Sequence, residues 1–353
     1  MKVLVTGHQG YIGSVLCPLL LEQGHHVAGL DIGFFSDYDF LPPAEGCESL
    51  AVDVRDLEAS HLEGFDAVVH LAALSNDPMG QLDPALTDDI NHNGSVRVAE
   101  LAREAGVGRF VFSSSCSMYG AGSAAGEALD ESAPFSPVSA YAVSKVDAER
   151  RISALADEDF SPTFMRNATA YGVSPRMRTD LVVNNFVGWA VTTGEIRIMS
   201  DGTPWRPVVH IGDISGAIAA VLSVERERVH NRAFNVGRDE DNYQVRDIAG
   251  VVAAVVPGVE IVYAGTGEPD KRSYRVDFGK IRRDLPEFVP RWNLEGGVRE
   301  IHEIFSKVRL DSELFESRHL VRLRQLEYLM ETERLDPQLR WLRPGAPPSR
   351  QRA

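Results

Sequence analysis

Short apolar runs alternate with helical patterns through the first half of the chain. KVLVTG is followed by helical spacing from Tyr11 to Gln23, then by HHVAGLD, SLAVDV, DAVVHLAA and RFVFSSS. Apolar strands separated by helices predict an α/β fold with a doubly wound parallel sheet, because each strand must bury both faces against helices. Two further stretches have helical spacing, Asn91 to Ala105 and Tyr141 to Leu155, and the second puts Tyr141 and Lys145 one turn apart on one face. From Arg166 the pattern changes. FMRNATAYGVSP reads as a strand running into a loop, and proline and glycine punctuate DGTPWRPVVH. The predicted division is residues 1–170, with a return segment near 206–236, for the sheet domain, and 171–205 with 237–310 for a smaller C-terminal lobe. Residues 311–353 form a helical extension in which Leu320, Leu323, Leu326 and Leu329 share one face, most simply packed on their own subunit, followed by a dozen mobile residues, LRPGAPPSRQRA.

Composition narrows the classes of function. With 353 residues, 44% of them hydrophobic and 25% charged, the chain can build a real core. Its formal net charge of -15 opposes a nucleic-acid surface, which needs a concentrated basic footprint, so an anionic ligand must be met by local cations. No apolar run approaches the roughly 18 residues of a membrane span. The start, MKVLVTG, reads as a strand and not as a signal peptide, so a cytoplasmic protein is expected. Cys17, Cys47 and Cys116 are too few and scattered for a disulfide framework or a zinc site, and no metal is expected.

Gly7, Gly10 and Gly13 follow the first strand and open a helix, with Tyr11 and Ile12 between them. Glycine lacks a Cβ, so amides there can approach a pyrophosphate at the positive end of the helix. Asp31 ends the next strand, about where a carboxylate accepts hydrogen bonds from the adenosine ribose hydroxyls. It would repel a 2′-phosphate, and Gly33 and Phe34 supply no cation, so the expected cofactor is NAD and not NADP. Asp53 and Val54, with Leu71, Ala72 and Ala73, follow as contacts to adenine and the central part of the cofactor, although Asp53 also suits a turn cap.

The order of the glycine loop, HLAALS, Asn91, SSSCSMYG and the Tyr141-x-x-x-Lys145 pair resembles the extended short-chain dehydrogenase/reductase family, specifically its nucleotide-sugar epimerases and dehydratases, over roughly residues 1–290. The resemblance implies a Rossmann-type fold, bound NAD, a nucleoside-diphosphate sugar as substrate, and a homodimer through the Asn91 and Tyr141 helices. It implies Tyr141 as the acid/base, Lys145 as the ammonium that favours its phenolate and holds the nicotinamide ribose, and Ser115 as hydrogen-bond partner of the reacting oxygen. Ser114 competes for the last role. Asn91 and Ser113 join the cofactor contacts, and Cys116 and Ser117 fall at positions that face substrate.

Departures from the family pattern separate the reactions. The 4,6-dehydratases carry an Asp-Glu pair after the serine or threonine, where this chain has Cys116 and Ser117, and decarboxylases keep a glutamate where Ser117 stands. The GDP-sugar 3,5-epimerases place a cysteine two before the tyrosine, whereas Cys116 lies three before Tyr119. Cys116 then reads as a buried filler or as a substrate-contacting thiol. What remains is 4-epimerisation through a transient 4-keto sugar. The alternatives are a 4-ketoreductase, a dehydratase and a non-enzymatic dinucleotide-binding redox sensor. In the second lobe the resemblance puts Arg206 of GTPWRPVVH on the diphosphate, a role that bidentate guanidinium geometry suits. His210 is expected to be structural. Thr169 stands where the family has asparagine, and Arg272 stands in for a missing arginine near Asp270. Arg176, Arg178 and Asn185 of SPRMRTDLVVNNF are candidate pocket walls, although a solvated loop explains both arginines equally well.

Overall fold

A computed structural model describes residues 1–75, 77–121, 127–265, 273–342 and 351–352. Seven parallel strands form the main sheet: β1 (Lys2–Thr6), β2 (His26–Leu30), β3 (Glu48–Leu50), β4 (Ala67–His70), β5 (Arg109–Ser115), β6 (Ser161–Asn167) and β7 (Arg232–Val236). Their spatial order, β3-β2-β1-β4-β5-β6-β7, reverses direction between β1 and β4. In an open α/β sheet such a reversal leaves a crevice at the carboxyl ends of the two strands, where ligands bind. Register is continuous across it, with Val3 opposite both Val27 and Ala67.

Alternation along β1 explains the two-sided core. Val3 and Val5 face Leu16 and Leu20 of α1 (Gly13–Glu22) with Ile214 and Ile218 of the Ile211–Ser223 helix. Leu4 faces the opposite layer with Val96 and Ala99 of α2 (Gly94–Glu104) and Ala148 and Ile152 of α3 (Ala140–Ser153). α1 begins two residues later than its periodicity predicts, since residues through Ile12 belong to the glycine loop. The Asn91 helix also differs: Asp88–Asn93 is a π-helical turn that runs into α2.

Of SLAVDV only Ser49 and Leu50 fall in the three-residue β3. Asp53 instead caps a 3₁₀ turn at Val54–Asp56, its carboxylate accepting from the Arg55 amide at 2.9 Å. FMRNATAYG divides between two sheets. β6 ends at Asn167, and Thr169–Tyr171 pairs with Trp205–His210, itself paired with Asn242–Gln244, in a three-stranded sheet. Beside it, Val183, Phe186 and Val187 of α4 (Val182–Thr193), Ile248 and Val252 of the Val245–Val255 helix, and Val298, Ile301 and Phe305 of α5 (Leu294–Lys307) make a second core. The extension continues through α6 (Arg322–Glu331). Its Leu326 and Leu329, with Leu335 and Leu339, pack on Phe34, Leu74, Met79, Leu86 and Ile90 of the same chain. Of the tail expected to be mobile, Gln351–Arg352 pair with Tyr38–Asp39, and residues 343–350 lie outside the described residues. Among the described residues no helix is long and apolar enough to cross a membrane.

Candidate active site

A cavity of about 460 Å³ opens at the β1–β4 crevice and runs from Asp31 to Tyr141. Its floor is the glycine loop. Gly7 has φ +72°, and a Cβ there would meet the Ala72 amide nitrogen at 2.8 Å; a Cβ on Gly13 would meet the Gly7 carbonyl oxygen at 2.5 Å. Both positions therefore require glycine if the loop is to lie flat between the strand ends. The Tyr11 and Ile12 amides, ahead of α1, donate to no acceptor among the described residues. They are unfilled donors at the positive end of a helix, the arrangement that suits a diphosphate. Asp31 is oriented by the Gln9 amide at 3.0 Å and the Gly33 amide at 2.8 Å. Ile32, Phe34, Phe35, Val52, Asp53 and Val54 wall this end, and Leu71, Ala72 and Ala73 follow along the cavity. A dinucleotide fits this donor set.

At the far end α3 presents Tyr141 and Lys145 to the cavity, beside Ser113, Ser115 and Ser117. α3 starts there because Ser139, in extended backbone, accepts the Ala142 amide at 3.2 Å. Lys145 is buried, donates to the Ser113 carbonyl at 2.8 Å and lies 4.7 Å from the centre of the Phe112 ring. Burial lowers its pKa from 10.5 to about 7. Burial, helped by the Asp77 carboxylate, raises Tyr141 to about 12, while contact with the Ser115 hydroxyl works the other way. Ser114 and Ser115 both line the cavity, but their hydroxyls have different partners. The Ser114 hydroxyl donates to buried Glu149 at 2.9 Å, within an ion pair between Glu149 and Arg166, which leaves Ser115 as the serine beside the phenol.

Several expected residues lie elsewhere. Cys116 is fully buried, donates to the Arg166 carbonyl at 3.1 Å and does not line the cavity, so it is a core filler and not a substrate contact; burial pushes its thiol up. Asn91 does not line it either. Its amide both accepts from and donates to the backbone of Leu74, at 2.8 and 3.0 Å, holding the cavity wall from behind. Asn185 donates to the Thr179 carbonyl at 2.8 Å and also lies outside the cavity. Asp53 lines the cavity, but its carboxylate is taken by Arg55 at 2.6 Å and Arg340 at 3.0 Å. Thr169 and Arg206 line the cavity, and Arg206 donates to the Trp205 carbonyl at 2.8 Å. Arg272 and Asp270 lie outside the described residues. His210 is structural: it caps the Ile211–Ser223 helix through Gly212, meets Glu300 at 2.9 Å and stacks on Trp292.

The SPRMRTD segment is a buried wall and not a solvated loop. Arg176 pairs with Asp39 at 2.9 Å. Arg178 lines the cavity while holding Asp180 at 2.9 Å and Ser75 at 2.9 Å. Asn167, whose side-chain oxygen is buried without a partner among the described residues, also lines the cavity; its amide donates to Ser113 at 3.1 Å. Arg322, from the extension, reaches the same cavity and had no local signal in the sequence.

Comparison with known proteins agrees with this geometry. The profile described as "NAD dependent epimerase/dehydratase family" matches residues 3–237. The UDP-glucose 4-epimerase of Mycolicibacterium smegmatis is 29% identical over 86% of this chain and 98% of its own length. The UDP-glucuronate 4-epimerase of Thermodesulfobacterium geofontis is 27% identical over 84% of this chain and 93% of its own. The structure of MoeE5 in complex with UDP-glucose and NAD superposes with a TM-score of 0.73 at 28% identity, covering 87% of this chain and 99% of that one. The matched residues 3–237 hold the glycine loop, Asp31 and the Tyr141 helix, and the chain belongs to the NAD dependent epimerase/dehydratase family, with NAD as its cofactor.

Proposed function

We propose that this enzyme inverts C4 of a nucleoside-diphosphate hexose through a transient 4-keto sugar and restores NAD in every turnover. The observation that carries the reading is the composition of the wall beside Tyr141: Ser115 and Ser117 line the cavity, and the intervening Cys116 is turned into the core. The Asp-Glu pair with which a dehydratase moves the protons of water is missing from those positions. Relatives named as UDP-glucose and UDP-glucuronate 4-epimerases support the same carbon and make uridine the first base to test.

Bound NAD would supply an acceptor and then a donor for the hydride of the sugar carbon. The protein's part is proton transfer and grip. Tyr141 accepts the C4 hydroxyl proton and later gives it back, with Ser115 bonded to the same oxygen. Lys145, fixed by the Ser113 carbonyl, stabilises the phenolate and holds the nicotinamide ribose. Gly7, Gly10, Tyr11, Ile12, Gly13, Asp31, Val54, Leu71, Ala72 and Ala73 hold the rest of the cofactor. Thr169, Ser117 and Asn167 contact the sugar, and Arg206 holds the substrate diphosphate while the sugar turns over. The enzyme works as a cytoplasmic homodimer.

The test is incubation with UDP-, GDP-, CDP- and dTDP-hexoses, following sugar stereochemistry by NMR and bound cofactor by absorbance. C4 inversion without net change in NAD is expected. Tyr141→Phe should keep its NAD and lose about 10²- to 10⁴-fold in turnover. Stoichiometric NADH consumption would make the protein a reductase, a released deoxy keto sugar would make it a dehydratase, and near-normal turnover by Tyr141→Phe would remove the assigned base.

A further inference from the structure

The cavity between Asp31 and Tyr141 is roofed by a part of the chain that lies beyond residues 3–237, and the roof carries a buried cation. Arg322 opens α6, is 4% exposed and lines the cavity. Its guanidinium lies 4.2 Å from the centre of the Phe35 ring and donates to the Arg176 carbonyl at 2.9 Å. No carboxylate among the described residues pairs with it. The other arginines nearby are neutralised: Arg55 by Asp53, Arg176 by Asp39, Arg178 by Asp180 and Arg318 by Asp37. A guanidinium has five N–H donors, and burying one with a single protein acceptor is costly unless a ligand supplies the rest.

Its position selects the ligand. Asp31, Arg176, Arg178 and Asp180 are all close enough to Arg322 to affect its charge. Asp31 marks the adenosine ribose end of the cavity, and the Arg178 charge also acts on Tyr141 at the other end. Arg322, fixed beside the Phe35 ring and the Arg176 carbonyl, thus shares the cavity lining with the glycine loop and its unfilled Tyr11 and Ile12 amides. That is the stretch a dinucleotide's diphosphate must cross between its two riboses. The extension is fastened to the same rim. Gln325 donates to the Phe34 carbonyl at 2.9 Å, Trp341 to the Ile32 carbonyl at 2.8 Å, and Arg340 reaches Asp53 at 3.0 Å.

We infer that Arg322 is a cofactor-binding residue whose guanidinium pairs with the NAD diphosphate from above the glycine loop, so that the C-terminal extension clasps the cofactor. The loop amides supply neutral donors on one side and Arg322 a formal charge on the other. Charge-assisted bonds of this kind are worth roughly tenfold to a hundredfold in affinity.

The experiment uses the full chain with Arg322→Gln, which keeps a donor for the Arg176 carbonyl but removes the charge, and Arg322→Lys, which keeps the charge. The NAD retained per protein on purification is measured first. Dissociation constants for NAD, ADP, adenosine and UDP on the stripped proteins follow by calorimetry. Arg322→Gln should lose about tenfold to a hundredfold in affinity for NAD and ADP, with adenosine and UDP unchanged, and Arg322→Lys should recover part of the loss. Unchanged NAD and ADP affinity overturns the inference. So does an equal loss for adenosine, which would make Arg322 a packing residue for the adenosine end, or a loss confined to UDP, which would put it on the sugar nucleotide. If Arg322→Gln does not fold, Arg322→Lys alone decides: its affinity for ADP relative to adenosine must fall less than tenfold, while salt weakens that preference.

Discussion

Burial pushes both members of the Tyr141–Lys145 pair toward their neutral forms in the free enzyme, the phenol up to about 12 and the amine down to about 7. The amine has a measurable consequence. Between pH 7 and 10.5 the unfolded chain carries a proton on this lysine that the folded chain does not, so folded stability should rise with pH across that window. Lys145→Met removes the group, and its gain in Tm between pH 7 and pH 9, on protein stripped of NAD, should be smaller than that of the parent. Equal slopes would show that the amine titrates near its ordinary value. At this scale the sequence is informative about residue type and less so about direction. Tyr141 and Lys145 declare themselves by spacing, but the difference between Ser114 and Ser115 rests on a bond to Glu149, distant in sequence. Cys116 lies between two cavity serines and faces the core, because the chain turns into a 3₁₀ helix at that residue.

The element that brings the site together is α3, and its first turn carries the acid/base. Ser139 accepts the Ala142 amide and donates to Asp77, which lines the cavity. Ser139→Ala should cost about 0.5–2 kcal/mol of stability by unmaking the cap. It should also lower kcat more than it raises KM, since the turn that frays holds Tyr141 and not the nucleotide. A lower Tm with kcat intact would confine the cap to a structural role. The strands of the main sheet are readable as apolar runs because both their faces are buried. Where the reading departs, a non-local bond decides. Asp53 turns the chain out of β3 by capping the next turn. After Asn167 the strand changes sheets: the Ala168 amide still reaches Val236, and the next residues pair with Val208–His210. Nothing within FMRNATAYG distinguishes one partner from the other.

Across the whole molecule, the extension and the proposed assembly compete for the same explanation of apolar surface, and the structure separates them. The leucine stripe of residues 320–329 is used inside the subunit: Leu320, Leu326 and Leu329 are fully buried, the last two over the rim of the cofactor cavity. Arg322 projects from the same helix into that cavity, a juxtaposition set by how the extension wraps back onto residues 32–56 and so invisible to periodicity. An assembly surface must then be sought elsewhere. The residue preceding the α3 cap, Val138, is exposed at 48%, and Val143 of α3 at 42%, two residues from both Tyr141 and Lys145 and so on the opposite face of the helix. Isolated exposed valines are ordinary, but two of them flanking the first turn of the helix proposed to pair are where a symmetric contact would place them. Val143→Glu should convert a dimer to a monomer in sedimentation equilibrium while leaving NAD content and Tm close to the parent's, because the carboxylate meets its own image only in the dimer. A parent that sediments as a monomer, or a variant that still sediments as a dimer, would take the assembly off this face. A fall in NAD content on dissociation would instead join the two halves of the argument, with pairing through α3 holding the Tyr141 end of the cavity as the extension holds the Asp31 end.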